Sequence, residues 1–302
     1  MSRMMLLGSV VALIAVPALA APRAPTVLAP ASKWNLHYAD QSCQLKRTFG
    51  DPANPTSLVF ERIDPGSGMS MMVYGDPLRA RSGLRNGKAA FLPFVDHPFE
   101  EGSVAETVAN KKIAILWTSV DFLAGAEKPP ETKPGEPVIR DPSQVAALRA
   151  TETANAARVT GVQVTEPGGR KIVLATGPLE KVMEAMRNCA REQLAAWGVD
   201  PDVEERIVRS ATPIRPLASL FSWSDYPVSA LPRGEESIVK ARLNIGADGL
   251  VTRCTSLTAF RGAGFAEVTC KNLQQARFQP AQLADGTRVP SYTVANVRFQ
   301  MP

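Results

Sequence analysis

Hydrophobic and polar positions along the chain fall into two regimes. Between Ser32 and Gly125 short apolar runs alternate with turn clusters. Gln44–Phe49 ends at Gly50-Asp51-Pro52, and Leu58-Val59-Phe60 runs into Asp64-Pro65-Gly66. Met69–Tyr74 closes at Gly75-Asp76-Pro77, and Ile113–Trp117 follows. Runs of this length bounded by Gly, Pro and Asp read as β-strands, because those residues supply the special backbone angles of a reversal and break the ladder. Val159–Val164 and Lys171–Leu174, around Glu166-Pro167-Gly168-Gly169, read as a further hairpin. A different period then sets in. Leu179, Val182, Met183, Met186, Ala190, Leu194 and Trp197 recur at helical spacing and form one apolar stripe. Gly198 and Pro201 stop that helix. It reads as a cover for the β-rich unit, not as a functional element.

After Tyr226-Pro227 the pattern sharpens. Ile238–Ile245 alternates, with Val239, Ala241, Leu243 and Ile245 on one face and Lys240, Arg242 and Asn244 on the other. Gly246-Ala247-Asp248-Gly249 reverses the chain, and Leu250–Leu257 returns as a second strand. Phe265–Ala276 reads as a short helix. Beyond Phe278 and the Asp285-Gly286 turn, Tyr292–Met301 reads as the last strand. The order is β-β-α-β. Upstream, the proline-rich run Glu127–Pro142 reads as a long exposed loop. Pro213 and Pro216 interrupt the irregular span 206–225. The expected organisation is α+β: a removable signal at 1–20, a β-rich N-terminal domain with a covering helix at 21–210, a linker at 211–222 and a small β-β-α-β domain at 223–302.

Composition narrows the function. Apolar residues are 45% and charged residues 21%, near the averages for globular proteins, so wholesale disorder and a multi-span membrane protein are excluded. The net charge of +5 is spread along the chain without a basic stripe, which argues against a nucleic-acid partner. Arg3, the apolar stretch Met4–Val16 and Ala18-Leu19-Ala20 match an export signal. The stretch is shorter than the ~20 residues a membrane-spanning helix needs. The expected location is the periplasm, the alternative being an uncleaved inner-membrane anchor that faces it. In an oxidising compartment Cys43, Cys189, Cys254 and Cys270 read as two disulfides, and four cysteines allow three pairings. The simplest joins Cys254 to Cys270, a strand to the helix after it, and leaves Cys43 for Cys189. His37 and His97 lie near no cysteine at zinc-like spacing, so no metal or other cofactor is expected. No nucleophile elbow, zinc-protease or P-loop motif is present, so neither catalytic residues nor a small-molecule substrate are evident.

The C-terminal residues resemble the C-terminal domain of TonB, the periplasmic energy transducer of Gram-negative bacteria. The resemblance rests on Tyr226-Pro227, the first strand with Asp248-Gly249, Arg277-Phe278-x-Pro280-Ala281, Asp285-Gly286 and the closing strand to Phe299. It covers residues 223–302 and implies a helix packed on a small antiparallel sheet. It also implies a binding role, in which the domain captures extended segments of outer-membrane receptors. A final strand at a sheet edge suits that task, since its unpaired backbone groups accept a further strand. The edge would be Tyr292–Gln300. Tyr226, Pro227, Tyr292, Val294, Asn296 and Arg298 are then the expected peptide-binding residues. The implied function is assistance to TonB-dependent transport across the outer membrane, with receptor segments or other envelope proteins as partners. The alternative is a periplasmic structural or interaction protein that uses the fold without energy transduction. The chain also departs from TonB. A folded domain stands where TonB has a proline-rich spacer, and Phe221–Asp225 lacks the glutamine often found ahead of Tyr-Pro.

Overall fold

The computed structural model describes residues 24–63, 68–107, 112–126, 136–257 and 264–301. The expected signal at 1–20, the Asp64-Pro65-Gly66 turn and residues 127–135 of the proline-rich run lie outside the described residues.

Ten strands form the N-terminal unit: β1 (Thr26–Leu28), β2 (Asn35–Tyr38), β3 (Cys43–Phe49), β4 (Thr56–Arg62), β5 (Met69–Gly75), β6 (Gly87–Leu92), β7 (Phe99–Glu106), β8 (Ile113–Val120), β9 (Gly161–Thr165) and β10 (Lys171–Leu174). They make one sheet in the order β1-β10-β9-β6-β7-β8-β5-β4-β3-β2. Only β1 and β10 run parallel. The sheet curls until its ends meet. Pro30, just past β1, bridges Phe49 at the end of β3, and the Gly50 N–H donates to the Ala29 carbonyl at 2.8 Å.

Alternation along the strands fills the interior with Leu58, Phe60, Met71, Val73, Phe91 and Ile115, all essentially inaccessible. A side chain of this size contributes roughly 1.5–3 kcal/mol when fully buried. Trp117 donates its indole N–H to the Gly87 carbonyl at 3.2 Å. Its ring lies so close to Gly102 that a Cβ there would sit 2.6 Å from a ring carbon, which only glycine avoids.

Two helices cover this interior, where the sequence pattern gave one. The unforeseen α1 (Pro142–Arg158) starts on Asp141, whose carboxylate accepts from the Ser143 N–H, with Pro142 in the first turn. It is tied down by polar groups. Asn155 donates to the carbonyls of Phe122 and Ala124, and Glu152 lies 3.3 Å from Arg62 of β4. The expected helix is α2 (Glu180–Ala196), which turns Met183, Met186, Cys189 and Ala190 into the core. Gly198 ends it at φ +79°, and a disulfide joins Cys189 to Cys43 of β3.

A short α3 (Pro201–Glu204) leads to β11 (Thr212–Pro213), β12 (Ser237–Ile245), β13 (Val251–Ser256), α4 (Phe265–Leu273), β14 (Phe278–Gln279), β15 (Ala281–Gln282), β16 (Arg288–Val289) and β17 (Ser291–Phe299). Three strands form an antiparallel sheet in the order β13-β12-β17, and α4 packs on one face. Ala241, Leu243, Ile245, Leu273 and Ala295 make that core, and a disulfide ties Cys254 of β13 to Cys270 of α4. At the β12–β13 turn, a Cβ on Gly249 would meet the Phe278 carbonyl at 2.1 Å.

The span expected as a linker is folded in. β11 pairs with β14, and Leu217, Leu220 and Phe221 pack against the C-terminal core. Just before it, Arg209 bridges Ile139 on one side and Gln282 on the other. Leu217, Leu220 and Phe221, just beyond the prolines, give this stretch something to bury. Pro213 fits because a two-residue edge ladder tolerates a missing N–H.

Candidate functional site

The strand order leaves β17 at an edge, paired with β12 on one side. Its register runs from Ser237↔Phe299 through Ala241↔Ala295 to Ile245↔Ser291. Ser291, Ala295 and Phe299 therefore face α4 and are buried. The opposite face carries Tyr292, Val294, Asn296 and Arg298, alongside Ile238, Lys240, Arg242 and Asn244 of β12. Thr255 and Arg253 of β13 stand opposite Arg242 and Asn244. The three strands carry four cations and no Asp or Glu. Beyond them, the carboxylate of Glu236 accepts from the Met301 N–H at 3.1 Å.

This outer face changes character along its length. At one end Asn296 and Arg298 are exposed, and Ile238 beside Arg298 is 51% exposed. At the other end it is covered by the N-terminal unit. The Arg242 guanidinium lies flat under the ring of Trp197, at the end of α2, with its central carbon 3.7 Å from the ring centre. It donates to Gln41 Oε1 at 2.8 Å and to Thr255 Oγ1 at 3.3 Å. Burial, and after it repulsion from Arg253, lowers its pKa to about 10 against the pull of Tyr292, so it is charged at neutral pH. Asn244 donates to the Trp197 carbonyl at 2.8 Å. The Tyr292 ring meets Trp197 edge-on at 6.2 Å, and Ile63 packs on the same cluster of Leu194, Trp197 and Val199.

The expected site residues therefore separate into three groups. Val294, Asn296 and Arg298 come together on the outer face of the edge strand. Tyr292 shares that face but lies against the N-terminal unit. Tyr226 and Pro227 lie inside the module. The Tyr226 ring meets Phe265 and Phe299 edge-on, and its hydroxyl donates to the Glu235 carbonyl at 2.5 Å. Burial and the nearby charges of Glu236 and Glu235 raise the Tyr226 pKa. These two residues hold the chain against α4, because an aromatic next to a proline at the entry fills the end of a small core. Trp197, Arg242 and Ile238 were not foreseen as site residues. The alternation of β12 placed Arg242 on the outer face, but nothing local announced a tryptophan lid.

Among the described residues no group of His, Cys, Asp and Glu is arranged to hold a metal ion, and no helix is long and apolar enough to cross a membrane. His37 is exposed on β2. His97 lines a cavity of about 160 Å³ with Phe91, Phe99 and Phe122 in the N-terminal unit.

The chain matches no curated protein sequence. About a quarter of it, residues 224–301, matches a family described as Gram-negative bacterial TonB protein C-terminal. The match begins two residues before Tyr226 and ends two beyond Phe299, so it takes in β12, β13, α4 and β17 whole. A helix on a small antiparallel sheet, with its last strand at the edge, is here the fold of a TonB C-terminal module.

Proposed function

We propose that this chain is an exported TonB-like protein whose C-terminal module captures extended peptide segments along β17. In this reading it assists TonB-dependent transport across the outer membrane from the periplasm. Its partners are segments of outer-membrane receptors, or other envelope proteins, and its work is binding rather than catalysis. The carrying observation is the one-sided pairing of β17 beside exposed Asn296 and Arg298. A peptide laid along this edge gains main-chain hydrogen bonds, and its alternate side chains meet Val294, Asn296 and Arg298. The cations of the sheet favour acidic side chains in the segment.

The test is a titration of the full chain into fluorescently labelled receptor segments, read by anisotropy. Saturable binding that weakens with salt and with Arg298→Glu is expected. Absence of binding across a panel of segments would refute the reading.

A second reading is a structural or interaction protein without energy transduction. It is favoured by the packing of the module against a folded N-terminal unit through Trp197 and Arg209, where an energy transducer needs reach. Retention of partner binding by the N-terminal unit after Arg298→Glu would support it.

A further inference from the structure

Four of the chain's eleven phenylalanines gather where β6 ends, β7 begins and β8 has just ended. Phe91 of β6, Phe94 in the loop after it, Phe99 of β7 and Phe122 line the cavity of about 160 Å³. Phe91 and Phe122, each 2% exposed, stack at 4.2 Å, and Phe99 meets Phe91 edge-on at 5.5 Å. Two ionisable side chains, His97 and Asp121, share the lining. His97 is exposed, so the cavity opens to solvent beside it. The walls are braced from behind. Asn155 of α1 donates to the carbonyls of Phe122 and Ala124, and the Arg158 guanidinium lies 5.0 Å from the centre of the Phe94 ring. The loop itself is tied by the Phe94 N–H to the Phe91 carbonyl at 2.7 Å and the His97 N–H to the Phe94 carbonyl at 3.1 Å.

We propose that this cavity is a binding site for a small molecule built on one aromatic ring that carries a hydrogen-bond donor, such as a phenol. Its volume sets the size, since an apolar cavity of about 150 Å³ holds a single benzene ring. The phenylalanines set the ring type. They present faces and edges together, the two arrangements in which aromatic pairs attract. Asp121 sets the substituent. A carboxylate has about four acceptor sites, so its bond to the Leu123 N–H at 2.9 Å leaves it able to accept from a guest. A methyl group in the same place would desolvate that carboxylate with nothing in return. Because α1 and the loop already hold the walls, binding costs little reordering, as in ligand pockets that are formed before the ligand arrives. The site belongs to the N-terminal unit and stands independently of strand capture at β17.

Titration of the full chain with phenol, followed through its backbone amide resonances, tests the site. Saturable shifts should centre on Phe91–Phe99 and Asp121–Ala124. Toluene matches phenol in shape without the donor, and cyclohexanol keeps the hydroxyl without the aromatic ring. Each should bind about fivefold more weakly than phenol. Phe99→Ala, and separately Phe94→Ala in case the first variant folds poorly, should weaken phenol binding by removing a wall. In Asp121→Ala, phenol and toluene should bind alike. Shifts that do not saturate, or that centre elsewhere, would overturn the site. So would unchanged phenol binding in a folded wall variant. Toluene binding as tightly as phenol in the unmodified protein would overturn the assigned class of ligand.

Discussion

Arg242 and Trp197 form a stacked pair across the two units, with the guanidinium carbon 3.7 Å from the ring centre. The guanidinium is buried, and its hydrogen bonds go to the neutral oxygens of Gln41, Asn244 and Thr255. The negative face of the indole therefore does the work of a counterion, an arrangement that gains about 2 kcal/mol when desolvated. Since Trp197 ends α2 and Arg242 lies mid-strand in β12, the pair welds the cover of the N-terminal unit to the sheet that carries the candidate edge.

Loss of that weld should be visible in unfolding. Trp197→Ala removes a buried indole and uncovers Arg242, and should cost about 3 kcal/mol. Trp197→Phe keeps an aromatic face and should cost clearly less. Denaturant unfolding checks both, and a change from one transition to two in Trp197→Ala is expected if the weld couples the units.

Glu152 of α1 stands between Arg62 of β4 at 3.3 Å and Arg187 of α2 at 3.6 Å. It is 3% exposed, so removing its charge takes a buried carboxylate away from buried Arg62. Glu152→Gln should destabilise the protein by about 3–5 kcal/mol, the usual cost of breaking a buried pair from one side. Thermal unfolding of the variant against the unmodified chain is the check.

The two disulfides should differ in weight. Cys254–Cys270 closes a separation of 16 residues and Cys43–Cys189 one of 146. Chain entropy gives about 3 kcal/mol for the first and about 5 kcal/mol for the second. Paired Ser substitutions at each bridge, followed by chemical unfolding, should reproduce that order.

Asp225 caps the short turn that leads into Tyr226. The Ser222 backbone N–H, at 2.7 Å, and the Ser222 hydroxyl hold its carboxyl below the ordinary value of 3.8, with help from Asn272. A carboxylate with a lowered folded-state pKa adds stability above the ordinary range and loses it as pH falls through the folded value. Stability should therefore decline below about pH 4, and Asp225→Asn should flatten that part of the profile. Melting temperatures between neutral and acidic pH, in both proteins, provide the comparison.

Much of this arrangement was legible where the chain announces its own geometry. The alternation of Val239, Ala241, Leu243 and Ile245 fixed the inner face of β12, and the stripe from Met183 to Leu194 gave α2 its buried side. The edge position of β17 was what the resemblance to the TonB C-terminal domain implied. By contrast α1 was silent, because its alanines, its threonines and its single glutamate carry no apolar stripe and it is held by Asn155 and Glu152. Strands β6 and β7 were missed for a related reason. Gly87 opens β6 and Gly102 interrupts β7, yet Gly102 leaves room for the Trp117 ring and Gly87 for the Ile115 side chain. The cover over Arg242 could not be read locally. A lysine-arginine-asparagine face looks like solvent until a tryptophan 45 residues upstream folds onto it.

The most direct test of strand capture is a titration of backbone amide resonances in the full chain with receptor-derived extended segments. Strand capture predicts saturable shifts confined to β17 and its immediate neighbours, strongest between Val294 and Phe299. Saturable binding that shifts residues elsewhere and leaves the amides of β17 unmoved would contradict it.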